Sequence, residues 1–167
     1  MSLRDEMLTE FREELSATKR ILDRVPADKL AWKPHEKSMS LGQLAMHIAT
    51  VPAGIVSITS TDSFDVLKGN FTPLNPKDTA EIRAALEQSA SKVETALKET
   101  SDESARAPWH LMRGDNELQT RPRYAIWRSL MLNHWYHHRG QLTVYLRLLN
   151  ISVPSLYGPS ADESPFA

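Results

Sequence analysis

The chain has no cysteine and only six glycines among its 167 residues. Without cysteine there is no disulfide framework, no thiolate zinc or iron–sulfur site and no thiol nucleophile. Any thiol chemistry must use a thiol brought in from outside. The glycines fit neither G-x-G-x-x-G nor a Walker loop, and no G-x-S-x-G nucleophile elbow is present. An excess of either charge is also missing. Lys and Arg number 20 against 21 Asp and Glu, a formal net charge of -1, so no basic surplus exists for binding nucleic acid through its phosphates. Long hydrophobic runs are absent as well. The most apolar stretch, Leu41 to Ile58, contains Gln43, His47 and Pro52 and reads as too polar for a membrane span. The N-terminus turns charged at Arg4 and Asp5 and lacks the apolar run of a signal peptide. The expectation is a cytoplasmic protein with neither a nucleic-acid nor a membrane partner.

What remains is an ordinary globular composition, 41% hydrophobic and 25% charged. The length suits a single domain over residues 1–167, able to bury roughly two-thirds of its unfolded surface in one core. Leu3, Met7, Phe11, Leu15, Leu22 and Val25 recur at helical spacing and predict an amphipathic helix from about Ser2 to Val25, ended by Pro26. A second helix opens at Ser40, whose partner Gln43 completes a capping box and whose neighbours Met39 and Leu44 fit a hydrophobic staple. Leu44, His47, Ile48, Val51 and Ile55 share its inward face. Pro52 cannot donate to the carbonyl of Ile48, which predicts a kink or an end there. Asp78 and Glu81 cap a third helix that turns Ile82, Leu86, Val93 and Leu97 inward. The fourth and longest helix spans about Pro122 to Leu149, with Trp127, Leu130, Met131, His134, His138, Gln141, Leu142, Tyr145 and Leu149 on one stripe. Its opposite side carries Leu132, Trp135, Tyr136 and Leu146, too apolar for open solvent, which points to a dimer contact or to cover by the tail. These patterns predict an all-α four-helix bundle with long connections. A short irregular strand pair between Trp109 and Leu118 is the one competing feature.

Three of the six histidines fall within five residues of the fourth helix, in Asn133-His134-Trp135-Tyr136-His137-His138. Residues four apart stack on one helix face, so His134 and His138 can aim ring nitrogens at one point. His47 lies on the inward face of the second helix. If the two helices are neighbours, the three imidazoles form a three-ligand, open metal site; the competing reading of a lone inward histidine is a hydrogen-bonded core residue. His137 competes with His138 from a flanking position. His35 and His110 fall in predicted connections and read as surface residues. No histidine carries Glu three residues before it or an acid two residues after it, so the di-iron and facial-triad spacings are missing.

Taken together, three blocks of the chain resemble the DinB (damage-inducible) superfamily, which includes thiol-dependent transferases of the YfiT and maleylpyruvate isomerase type. They are Leu30-Ala31-Trp32-Lys33-Pro34 with Ser40 to Ala49, then Asn133 to Leu142 running on through Arg147, then Val153 to Glu163. The resemblance implies a four-helix bundle in up-down-down-up order, commonly a homodimer, and a divalent metal held by His47, His134 and His138. Zinc or nickel is expected first, with iron a further candidate. Related ergothioneine-pathway iron enzymes carry Glu where Gly140 stands here. The functional expectation is a metal-dependent enzyme that transfers a low-molecular-weight thiol to an electrophile or hydrolyses a small substrate. The alternative is a non-catalytic, metal-binding dimeric stress protein. Asp162 and Glu163 are candidate bases if the tail folds over the site, against a solvated terminus. Arg139 is a candidate for a substrate carboxylate, against a helix-surface ion pair.

Overall fold

The structure is a computed structural model that describes residues 2–164 and 166. Helix α1 (Leu3–Leu22) starts at a capping box in which the Ser2 hydroxyl accepts from the Asp5 amide and Asp5 accepts in return. Met7, Phe11, Leu22 and Val25 are buried from the expected stripe. Helix α2 (Leu41–Ile58) opens on the expected Ser40–Gln43 box, closed by bonds of 3.2 and 2.9 Å. Helix α3 (Thr79–Glu99) is capped by Asp78, which accepts from the Glu81 amide, while Glu81 reaches one residue further back to the amide of Lys77. A short α4 (Asp102–Arg106) follows. The last helical run is α5 (Arg123–Ile126), a π-helical segment over Trp127–Asn133, and α6 (His134–Leu148).

Helices α1 and α2 each pack against both α3 and α6, and one continuous core fills the space between them. The protein is mostly helical but not all-α. Strands β1 (Ser63–Asp65), β2 (Pro108–Arg113) and β3 (Asn116–Pro122) form a mixed sheet in the order β1-β2-β3, parallel between β1 and β2 and antiparallel between β2 and β3. The strand pair expected near Trp109 is therefore real, extends to Pro122 and gains a third strand from the first long connection.

One further expectation is corrected, and of the two arrangements expected for the back of the last helix the structure shows cover within the chain. Over its 18 residues α2 averages a hydropathy of 1.5, which by length and composition does suit a membrane span; half of it is buried inside the protein. It is the central core helix, with Leu44, Ala45, Ile48 and Ala49 fully inaccessible. The apolar back of the last helix is also buried within the chain. Leu132, Trp135 and Leu146 are fully inaccessible, Trp135 stacks on Phe11 of α1 at 5.4 Å between ring centroids, and Tyr136 packs against Tyr157 of the tail while donating to Glu10. That face accordingly gives no support to a dimer contact.

Pro52 lies inside α2 rather than at its end. The carbonyl of Ile48, deprived of its usual i+4 donor, accepts instead from the indole N–H of Trp135 at 2.8 Å. The next amide, Ala53, donates to Ser89 Oγ of α3 at 3.1 Å. The proline thus turns an internal helix bond into cross-links to two neighbouring helices. Farther along α2, Trp109 donates to the Ile58 carbonyl and Trp127 to Thr59 Oγ1.

Candidate metal centre

The Ile48–Trp135 bond has a direct consequence for the histidines, because His47 precedes one partner and His134 the other. It fixes α2 against α6 at the level where the imidazoles meet. His134 Nε2 lies 3.1 Å from His47 Nε2 and 2.9 Å from His138 Nε2, and each of the three residues offers a ring nitrogen within 4.8 Å of the others. His138 is buried; His47 and His134 are partly buried. Nitrogens around a tetrahedral ion with bonds of ~2.0–2.1 Å stand about 3.3 Å apart, close to the observed spacing.

The protonation states also suit a metal. Burial, followed by the His138 and His134 rings, pushes His47 down to about 4. Burial likewise lowers His134, with His137 adding to the effect. His138 is lowered mainly by burial, against the opposing effect of its hydrogen bond to Gln141. All three are therefore neutral near pH 7, the state a ligand must have. His138 Nδ1 lies 2.7 Å from Gln141 Oε1. An amide oxygen only accepts, so Nδ1 carries the proton and Nε2 keeps its lone pair for the cluster. Among the described residues no carboxylate joins the three histidines.

The cluster opens onto a cavity of about 680 Å³. His47 and His134 stand on its wall with Val51, Ile55, Phe64 and Leu130. Further wall comes from the connection after β1, including Lys68 and Phe71. Sequence periodicity missed this wall because a loop has no period. Its available signal was Phe71 and Leu74 standing among polar residues after Gly69; both are exposed, at 72% and 57%.

The other candidates separate from the cluster. His137 is exposed on the outer side of α6. His35 is an exposed loop residue, whereas His110 lies in β2, not a loop, where its Nδ1 contacts Glu117 and Thr120. Arg139 is neither free for substrate nor on the helix surface. It is 1% exposed, paired with Glu14, bonded to Thr18 Oγ1 at 3.0 Å and to Tyr157, and lies over the rings of Trp135, Tyr136 and Tyr157. The tail does fold onto the protein, but Asp162 accepts from Arg147 and the Val153 amide, and Glu163 from Arg20 and the Ser155 amide. Both acids fasten the tail and stand outside the histidine cluster.

The sequence profile of the DinB family matches residues 1–165. The chain belongs to the DinB family. YrdA of Bacillus subtilis (strain 168), an uncharacterized protein, is 27% identical over 167 residues, covering 95% of this chain and 90% of YrdA. Among solved structures, a DinB-like protein of Bacillus cereus ATCC 10987 superposes with a TM-score of 0.71 at 24% identity, covering 92% of this chain and 97% of the other. The DinB-like protein YjoA of Bacillus subtilis gives 0.68 at 18% identity, with coverage of 88% and 93%. These two likenesses are of fold.

Proposed function

We propose that this DinB-family protein is a divalent-metal-dependent enzyme whose ion is held by His47, His134 and His138. It transfers a low-molecular-weight thiol to an electrophile, or hydrolyses a small substrate. The observation that carries this reading is the convergence of three neutral imidazoles on the wall of a largely apolar cavity, with no fourth protein ligand among the described residues. A purely structural ion is normally closed off by four protein ligands, whereas a catalytic one keeps a position open. When bound, a divalent ion on neutral ligands supplies a Lewis acid that lowers the pKa of a water or thiol and polarises a carbonyl. The chain's own groups do the positioning. Gln141 holds the His138 ring in the tautomer that leaves Nε2 free, the Ile48–Trp135 bond holds the two helices in register, and the apolar wall limits the water around a reacting group.

The absence of cysteine suits a thiol cosubstrate from solution. Three imidazoles suit zinc, nickel, copper and iron alike; zinc or nickel is the ion proposed, with iron a further candidate. A four-helix bundle of up-down-down-up order, a homodimeric assembly and a cytoplasmic setting belong to the same proposal; the packing of α1 and α2 each against α3 and α6 supports the first. Elemental analysis of the purified protein, followed by a screen of small thiols against electrophiles, tests the reading. The expected result is one ion per chain and a turnover that chelation removes and one added ion restores. A protein that neither retains nor takes up a divalent ion refutes it.

A further inference from the structure

Helix α2 contains a glycine that its own backbone does not require. Gly54 sits inside the helix, has no positive φ, and a Cβ built on it meets nothing within 4 Å. Neither a turn nor a close approach explains it, yet glycine inside a helix costs roughly 0.5–1 kcal/mol relative to alanine. Gly54 is part of the cavity wall. It lies seven residues after His47, two helical turns along the same face, and Val51 and Ile58 continue that line on the wall. Gly54 is exposed, and the space over it is the open side of the cavity, reached from the histidines along α2. At 1.5 Å per residue, His47 and Gly54 are about 10 Å apart.

The wall formed by the connection after β1 carries, among the described residues, the one charged side chain of the lining, Lys68. Asp65 forms no ion pair with it within 4 Å: its Oδ1 accepts from the amides of Leu67 and Gly114, and the Lys68 charge adds to these bonds in holding the carboxyl below the usual carboxylate range. The rest of the lining is mainly apolar, including Ile55, Phe64, Phe71 and Leu130, with Thr50, Asn70 and Thr72 as uncharged polar groups. A volume of about 680 Å³ is that of a small-molecule site, where apolar walls supply affinity and a few polar groups fix orientation.

We infer that this cavity takes a small monoanion with an elongated apolar body of about 10 Å, laid along α2 from the histidine cluster past Gly54, with its anionic group facing Lys68. Gly54 is the residue whose missing side chain admits that body, and Lys68 selects the charge. The inference names the substrate class for the metal-dependent reading above and rests on it for the reaction, but not for the binding.

Metal-free protein at neutral pH provides the test, because chelation removes any ion that would itself attract a carboxylate. Octanoate and 1-octanol are titrated by calorimetry into the wild type and into Gly54→Trp, Gly54→Ala and Lys68→Met. The wild type is expected to bind octanoate at least about fivefold more tightly than octanol. Gly54→Ala, whose added Cβ stands where the body would lie, should weaken both ligands by a smaller factor than the larger side chains do. Gly54→Trp places a large ring in the cavity and should weaken both ligands about tenfold or more with unchanged circular dichroism; Gly54→Leu is the smaller block if the Trp variant folds poorly. Lys68→Met should bind the two ligands equally while keeping the octanol affinity. Absence of binding by the wild type, or unaltered binding by both Gly54→Trp and Gly54→Leu, overturns the cavity assignment. A persistent preference for octanoate in Lys68→Met overturns the charge assignment. Metal content of the untreated protein reports separately on the metal reading.

Discussion

Replacing Trp135 by Phe tests the cross-link that registers the two ligand-bearing helices. Ile48 is fully buried, and its carbonyl takes the indole N–H at 2.8 Å because Pro52 has none to give. Phenylalanine leaves that carbonyl unsatisfied, at a cost of about 1–3 kcal/mol. The smaller ring and its poorer stack on Phe11 add about 1 kcal/mol, so Trp135→Phe is expected to lose about 2–4 kcal/mol in all. The diagnostic comparison is with Pro52→Ala, which returns an amide donor to the Ile48 carbonyl. In the wild type that donor adds little, since the carbonyl is already bonded. In the Trp135→Phe background it replaces the lost partner, giving a favourable coupling of about 1–2 kcal/mol. Urea unfolding of the four metal-free proteins, followed by circular dichroism, measures the cycle, and the cost of losing buried volume at either site cancels in it. Metal affinity should fall in Trp135→Phe and recover in the double variant. Additive effects, within about 0.5 kcal/mol, would refute the reasoning, as would a Trp135→Phe cost below that figure.

Changing His47, His134 or His138 singly to Ala should remove most bound metal while helix content stays high, whereas His137→Ala, on the exposed side of α6, should change affinity no more than about ten- to a hundredfold; elemental analysis of the four variants decides between these outcomes. Protons compete with metal for the imidazoles, so metal affinity is expected to weaken below roughly pH 6, as seen in a chelator-competition titration. The metal-free protein has its own acid dependence. His47 is held at about 4 in the folded state against ~6.5 unfolded, so the unfolded chain binds the extra proton between those values. Stability is complete above about pH 6.5 and declines toward pH 4, by roughly 2 kcal/mol after allowance for the ring's partial exposure. His47→Gln should remove that part of the pH profile in urea titrations, and an identical profile in the variant would count against it. Glu14→Ala leaves the 1%-exposed Arg139 without its carboxylate and should cost about 3–5 kcal/mol in thermal or urea unfolding; a loss under 1 kcal/mol would show that the Thr18 and Tyr157 contacts suffice.

The features legible in the sequence were those set by local chemistry. The Ser40–Gln43 box, the orphaned Ile48 carbonyl and the shared face of His134 and His138 all follow from spacing within one helix. Features set by distant partners were less visible. Arg139 looked like a surface charge because Glu14 and Thr18 lie on another helix. The back of α6 looked like an interface because nothing local announces that Phe11 covers Trp135. Strand β3 is exposed at every position, so it shows no apolar alternation; pairing with β2 defines it, and pairing is not a local property. The π-helical turn before His134 breaks a uniform 100° projection, and Leu130, assigned to the inward stripe, is 37% exposed on the cavity wall.

The apolar character of α2 has a consequence for how the chain comes off the ribosome. Its length and hydropathy match those of a membrane span, and part of its cover is Trp135, made 77 residues after the helix ends at Ile58. At translation rates of about 5–20 residues per second, the nascent chain presents that uncovered stretch for roughly 4–15 s. Throughout that interval the helix must be shielded by early packing against α3 or by a chaperone. Its single proline, the polar Gln43 and His47, and the charged segments on either side make it a poorer substrate for membrane insertion while it waits.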